Sequence, residues 1–141
     1  MQRRSVIVSA KRTPIGAFQG HLSSLSASDL ASACIKEILN HTSIHAESIN
    51  EVILGNVLSA GQGQAPARQA TLKSGCPDSV ESLTINKMCG SGLKAVMLAD
   101  QAIRCGDAHM IVAGGMESMS NAPYLLNNAR MGQKLGHGQV I

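Results

Sequence analysis

Asn86-Lys87-Met88-Cys89-Gly90-Ser91-Gly92-Leu93-Lys94 is the stretch on which the reading of this chain turns. A short apolar, β-favouring piece, Leu83-Thr84-Ile85, leads into it, and an apolar, helix-favouring run from Leu93 to Ile103 leads out. Cys89 therefore stands where a strand hands over to a helix. At a helix N-terminus the free backbone N–H groups and the positive end of the dipole favour negative charge. The thiolate is the nucleophilic form of cysteine. Gly90 and Gly92 let the backbone turn sharply and let a substrate come close. These residue types in this order suit a site that holds a covalent acyl-sulfur adduct.

The competing reading is that a lone cysteine is buried and inert, which is the commoner fate of cysteines. The other three cysteines fit it. Cys34 shares a helical stripe with Leu30, Ala31, Ile35 and Ile38, Cys76 lies in a turn between Gly75 and Pro77, and Cys105 ends the helix that follows Cys89. Cys89 departs from that pattern through its small neighbours and the helix that starts at it.

Outward from this stretch the chain alternates. Val6-Ile7-Val8 reads as a short buried strand, followed by a loop from Arg12 to Ser26 that contains Pro14, Gly16 and Gly20. Apolar residues at helical spacing predict a helix from about Ser28 to Leu39. Glu51 to Leu58 holds a second strand, and Gly61 and Gly63 mark a loop. Pro66 suits the first turn of a second helix ending near Gly75. Leu83 to Asn86 is a third strand, Cys89 to Arg104 a third helix closed by Gly106, and Met110 to Ala113 a fourth strand. The expectation is an α/β fold, a layered βαβαβαβ unit with a mostly parallel sheet and right-handed crossovers. Between Cys89 and Ile103 the only charges are Lys94 and Asp100. A surface helix normally has a broad polar face, so this one is expected to lie between layers.

Composition narrows the function classes. The chain has 141 residues, 44% hydrophobic and 15% charged, long enough for one core. Phe18 and Tyr124 are the only aromatics, which argues against stacking on bases or sugars. The net charge of +3 is mild, and the basic residues Arg3, Arg4, Lys11 and Arg12 are interrupted by Val6, Ile7 and Val8. They read as a solvated strand end rather than a nucleic-acid patch. Met1 to Arg4 and the few apolar residues after them are too short for a secretory signal, and no apolar run is long enough to span a membrane. There is no Cys-x-x-Cys spacing and no paired histidine, so no metal site is expected, and the four cysteines read as reduced thiols.

The stretch Asn86 to Val96 resembles the nucleophile segment of the thiolases, the acetyl-CoA acetyltransferase branch in particular. Three further stretches agree in order and spacing: Ser9-Ala10-Lys11-Arg12-Thr13-Pro14-Ile15-Gly16, then Glu51 to Leu58 with Gly61-Gln62-Gly63-Gln64, then Val112-Ala113-Gly114-Gly115-Met116-Glu117-Ser118-Met119-Ser120. The likeness runs from about Ser5 to Ile141. A ketoacyl synthase would share the fold and the cysteine, but the words Met-Cys-Gly-Ser-Gly-Leu and Gly-Gly-Met-Glu-Ser-Met favour a thiolase.

The resemblance implies a thiolase-like N-terminal half, incomplete at its C-terminal edge, with a domain core over 1–120 and the start of a loop region over 121–141. It implies Cys89 as the catalytic nucleophile, the Cys89 N–H in an oxyanion hole, and Gly90, Gly115 and Met116 lining the site, with Glu117 holding its loop. It implies acetyl-CoA and acetoacetyl-CoA as substrates, coenzyme A thioesters rather than any permanently bound cofactor, no metal, and a cytoplasmic location. As partners it implies a homo-oligomer or a complementary C-terminal half. The family's catalytic histidine lies in a Gly-His-Pro motif, its second cysteine in Cys-x-Gly-Gly-Gly and an oxyanion contribution in Asn-Glu-Ala-Phe. None of these motifs occurs here. His137 has glycine on both sides, but Gly138 stands where proline is expected, so it is assigned no base role. The second expectation, of a different class, is therefore an inactive truncated or split-gene fragment that needs a C-terminal half. One local departure is Gln64-Ala65-Pro66-Ala67-Arg68, where the family carries asparagine before the proline. Ala65 cannot cap the helix, and loss of a cap costs about 0.5–2 kcal/mol. Arg68 is expected to pack or to touch a subunit rather than to bind phosphate.

Overall fold

Parallel pairing of three short strands organises residues 4–141, the part of the chain that the computed structural model describes. Met1, Gln2 and Arg3 lie outside the described residues, and with them the Arg3 member of the basic cluster. The order is helix α1 (Ala27–Thr42), strand β1 (Glu51–Gly55), helix α2 (Pro66–Lys73), strand β2 (Glu81–Ile85), helix α3 (Ser91–Cys105) and strand β3 (Ile111–Gly115), with three single 3₁₀ turns. The sheet runs β2-β1-β3, all parallel. Glu51 lies opposite Glu81 and Ile111, and Gly55 opposite Ile85 and Gly115.

Side chains alternate across a strand, and here the alternation divides the layers. Val52, Leu54 and Val112 join Ala27, Ala31 and Ile35 of α1 and Ala67 and Ala70 of α2 in the main core. Ile53, also buried, and Gly55 point the other way, where Ser91 of α3 meets Gly55. The chain crosses from β1 to β2 over one face and returns past β1 to β3 over the other. Opposite directions on opposite faces give both crossovers one hand, as chirality requires. Asn50 ties the strand starts together. Its Oδ1 accepts from the His109 and Met110 N–H groups at 2.8 and 3.0 Å, and its carbonyl accepts from the Glu81 N–H at 3.1 Å.

The expected first strand is not formed. Val6, Ile7 and Val8 run as irregular chain and are 78%, 82% and 67% exposed. A strand exists only when its N–H and C=O groups meet a neighbour, and no described residue pairs with this segment. The segment is tied on either side by Ser5 donating to Asp100 of α3 and by the Lys11–Glu37 ion pair to α1. The observed order is thus αβαβαβ, one strand short of the expected βαβαβαβ. The remaining elements match in kind and shift by a few residues. The third helix starts at Ser91 rather than Cys89, because Gly90 occupies the N-cap position. Strand β1 ends at Gly55 rather than Leu58, since Val57 and Leu58 turn away to bond Glu117.

Helix α3 buries a narrow ridge of Ser91, Ala95 and Ala99 against the sheet. Its opposite face presents Leu93, 70% exposed, with Val96 and Met97. It is therefore covered on one side only, and the expected second layer is not among the described residues. Beyond Asn121 the chain is exposed throughout, closed by mutual backbone hydrogen bonds between Leu125 and Ile141. Among the described residues, no helix is long and apolar enough to cross a membrane.

Candidate functional site

Cys89 is exposed, in a tight turn between β2 and α3 at the C-terminal edge of the parallel sheet. That edge is where open α/β sheets commonly bind ligands. The turn is built from inside the motif. Asn86 Oδ1 accepts from the Met88 N–H at 3.0 Å, and the Gly90 N–H donates to the Lys87 carbonyl at 3.0 Å. Ser91, buried, bonds twice across the turn: its hydroxyl donates to the Met88 carbonyl at 2.6 Å and accepts from the Lys87 N–H at 2.8 Å. These bonds hold Met88 in the left-handed region, φ +48°. A side chain there costs roughly 1–2 kcal/mol, and such strain persists only where the surroundings over-determine it. The result lifts Cys89 out of the first turn of α3 and into solvent. The N–H of Cys89 donates to no acceptor among the described residues.

Close packing of glycines sets the helix that follows. A Cβ on Gly55 would lie 2.5 Å from the Ser91 Cβ and 2.8 Å from the Gly92 N, and one on Gly115 would lie 3.3 Å from the Gly92 Cα. Gly55, Gly92 and Gly115 thus let the start of α3 touch the ends of β1 and β3. Gly115 lies beside the first turn of α3, and Gly90 beside Cys89 as the N-cap. Met116 follows directly after β3. Its side chain is buried in the main core, and its N–H donates to the Gly55 carbonyl at 2.9 Å.

Glu117 is a holder of structure in this geometry. Its Oε1 accepts from the Asn56 Nδ2 at 2.9 Å and the Leu58 N–H at 3.0 Å, and its Oε2 accepts from the Val57 N–H at 2.9 Å. Asn56 is buried; its amide nitrogen also reaches the Met116 carbonyl at 3.3 Å, while its Oδ1 has no partner among the described residues. Arg68 packs, as expected: its guanidinium donates to the Val80 and Asp78 carbonyls. Cys76 is buried, Cys34 half-buried and Cys105 exposed, and all four cysteines are free thiols. The exposure of Cys105 departs from the inert-core reading.

A sizeable cavity lies elsewhere. About 580 Å³ opens between the segment Lys11–Phe18, the α1 residues Leu30, Cys34 and Ile38, and Val112 and Gly114 of β3. Cys89 does not line it. Its wall is the gap left where the N-terminal segment stands off from the sheet edge, and the chemistry of the site is assigned to the turn instead. The sequence reading missed Asn86 and Ser91 as turn-builders and Gly55 as a contact point. Asn86 stands two residues before Met88 and Ser91 three after it, the spacing of side-chain-to-backbone turns.

Comparison with known proteins follows the same boundaries. Residues 5–141 match the family model described as thiolase, N-terminal domain. An acetyl-CoA acetyltransferase of Escherichia coli is 58% identical over 139 residues, which cover 98% of this chain and 35% of that protein. One from Pseudomonas aeruginosa is 54% identical over 136 residues, covering 96% of this chain and 35% of the relative. The crystal structure of the Bacillus anthracis acetyl-CoA acetyltransferase superposes with a TM-score of 0.94 at 37% identity, over 99% of this chain and 35% of that one. The chain thus spans about a third of the length of the curated relatives that it matches.

Proposed function

Because this chain belongs to the thiolase family, through its N-terminal domain, we propose that Cys89 is the nucleophile of an acyltransferase that condenses two acetyl-CoA molecules to acetoacetyl-CoA and coenzyme A, or runs the reverse thiolysis. The observation that carries this reading is the exposed Cys89 on a braced turn at the C-terminal edge of the sheet. The thiolate of Cys89 attacks the thioester carbonyl of acetyl-CoA, and the tetrahedral adduct expels the coenzyme A thiolate. An acetyl-cysteine thioester remains. A second acetyl-CoA gives up an α-proton, its carbanion attacks the acetyl-cysteine carbonyl, and the Cys89 thiolate leaves as acetoacetyl-CoA forms. The double displacement is covalent catalysis. The uncommitted Cys89 N–H suits the thioester oxygen in each adduct.

Within 141 residues this chain carries no Gly-His-Pro, Cys-x-Gly-Gly-Gly or Asn-Glu-Ala-Phe motif, so the groups that take and return protons are proposed to come from a C-terminal thiolase half, joined or separate. Residues 121–141, exposed along their length, are then the start of a loop region that closes on that half. Coenzyme A thioesters serve as substrates, no resident cofactor is required, and the reaction is assigned to the cytoplasm. Loss of general acid–base help removes about 10²–10⁴-fold per step. The 141-residue chain alone is therefore expected to make no acetoacetyl-CoA at a useful rate. Mixed with a matching C-terminal half it gains turnover, an acetyl group maps to Cys89 by mass spectrometry, and Cys89→Ala abolishes both. Robust turnover by the lone chain, or an acetyl adduct on another residue, overturns the reading.

A further inference from the structure

One chain of hydrogen bonds leads from a carboxylate on the far strand to the backbone beside Cys89. Glu117, just past β3, accepts from the Val57 N–H at 2.9 Å through Oε2 and fixes the neighbouring Leu58 N–H and Asn56 amide through Oε1. This clamps the backbone that leaves β1. The carbonyl of the clamped Val57 accepts from the Asn86 Nδ2 at 3.3 Å. The other end of the same carboxamide, Oδ1, accepts from the N–H of Met88 at 3.0 Å. Met88 is the residue held at φ +48°, and Cys89 is the next residue.

We propose that Glu117 and Asn86 are positioning residues for Cys89, coupled through the Val57 peptide, so that the end of β3 sets the pose of the nucleophile turn. It rests on the reading of Cys89 as nucleophile. The polarity of each group fits its place. Glu117 meets three donors and needs two acceptor oxygens, which glutamate has and glutamine does not. Asn86 meets one acceptor and one donor, which only a carboxamide satisfies at both ends. The bonds inside the motif from Ser91 brace the helix side of the turn, and this chain braces the strand side. Neither residue touches a reacting atom. Both act by keeping Met88 in a conformation that its own side chain disfavours.

The test reads Cys89 labelling by limiting iodoacetamide in the 141-residue chain, with no acyl-CoA present. Exposed Cys105 is the internal reference and buried Cys76 the indicator of folding. The expected result is a fall in the Cys89-to-Cys105 labelling ratio of about three- to tenfold in Glu117→Gln and in Asn86→Ala, the range for one lost hydrogen bond. Asn86→Asp keeps an acceptor for the Met88 N–H but loses the donor to the Val57 carbonyl, so its ratio also falls below that of the parent. The double variant Glu117→Gln, Asn86→Ala falls no further than the worse single one, since both cut the same chain. Cys76 stays unlabelled throughout. A ratio unchanged in both single variants, additive losses in the double, or a parental ratio in Asn86→Asp overturns the proposal. If Glu117→Gln exposes Cys76, the Asn86 pair decides, because Asn86 is an exposed residue outside the core. Labelling needs no turnover, so failure of the acyl-transfer reading leaves this result standing, and the reverse also holds.

Discussion

Ala65 is held at φ +45° directly before Pro66, in the left-handed region that a non-glycine side chain disfavours. It sits at the N-cap of α2 with no side-chain oxygen to offer, yet the helix start is not bare. The Ala67 N–H donates to Thr84 Oγ1 of β2 at 2.9 Å. The sheet supplies the cap that the local sequence lacks. Asparagine tolerates left-handed backbone better than alanine, and Ala65 is exposed. Ala65→Asn is therefore expected to stabilise the chain by about 0.5–1 kcal/mol, and Thr84→Val to destabilise it by about 0.5–2 kcal/mol. Denaturant midpoints check both, and a Thr84→Val variant as stable as the parent would show that the cap is idle. The missing cap was readable at Ala65 because capping is local. Its replacement was not, because Thr84 lies 17 positions away and arrives only through the β1–β2 pairing. The same division runs through the site. Cys89 announced itself by its small neighbours, whereas the service of Asn86 to Val57 spans 29 positions and needs the sheet to exist first.

Between elements, the ends of strands and helices carry opposing charge effects. Glu51 and Glu81 face each other at the start of the parallel β1–β2 pair. Burial first, and then the like charge of Glu81, push the Glu51 carboxyl above its usual range. A carboxyl raised in the folded state opposes folding when ionised and ceases to do so as the pH falls through its folded value. Asp29 behaves in the opposite sense. In the α1 capping box it accepts from the Ser26 N–H at 3.0 Å, and it pairs with Lys73 of α2 at 2.6 Å. The Lys73 hydrogen bond, then those of Ser26, lower it to about 2. Its contribution is complete above the ordinary aspartate range and disappears as the pH falls from there to about 2. Glu81→Gln is therefore expected to raise the denaturant midpoint at neutral pH, with the gain fading in acid. Asp29→Asn is expected to lower it at neutral pH, the two curves converging near pH 2. A Glu81→Gln gain that is constant across pH would point to packing instead. Periodicity located α1, but the reading began it at Ser28 and passed over the Ser26-x-x-Asp29 box that starts it at Ala27. Val6-Ile7-Val8 shows the reverse limit. β-favouring residues state a preference, and only a neighbouring edge turns it into a strand.

The whole molecule is a parallel sheet covered on one face by α1 and α2 and on the other by one helix that is itself uncovered. Met88, Leu93, Val96 and Met97 lie exposed together along the start of α3 and its approach. Soluble monomers rarely leave such a patch open. The chain alone is expected to bind a hydrophobic dye and to self-associate, and Val96→Lys with Met97→Lys to weaken both, while Cys76 stays protected. A dye-silent, sharply melting monomer would show that α3 closes itself by some rearrangement. The apolar circumference of α3 was readable from residue types; what covers it was not, because that depends on residues that do not fold against it here. The strand order has a consequence for synthesis in time. β1, the centre of the sheet, leaves the ribosome before either neighbour, β2 then adds on one side, and β3 closes the other. Translation adds about 5–20 residues each second, so the central strand waits only seconds for its first partner. Glu117 lies beyond β3 in the chain, so its hold on Val57 can form only after all three strands have emerged.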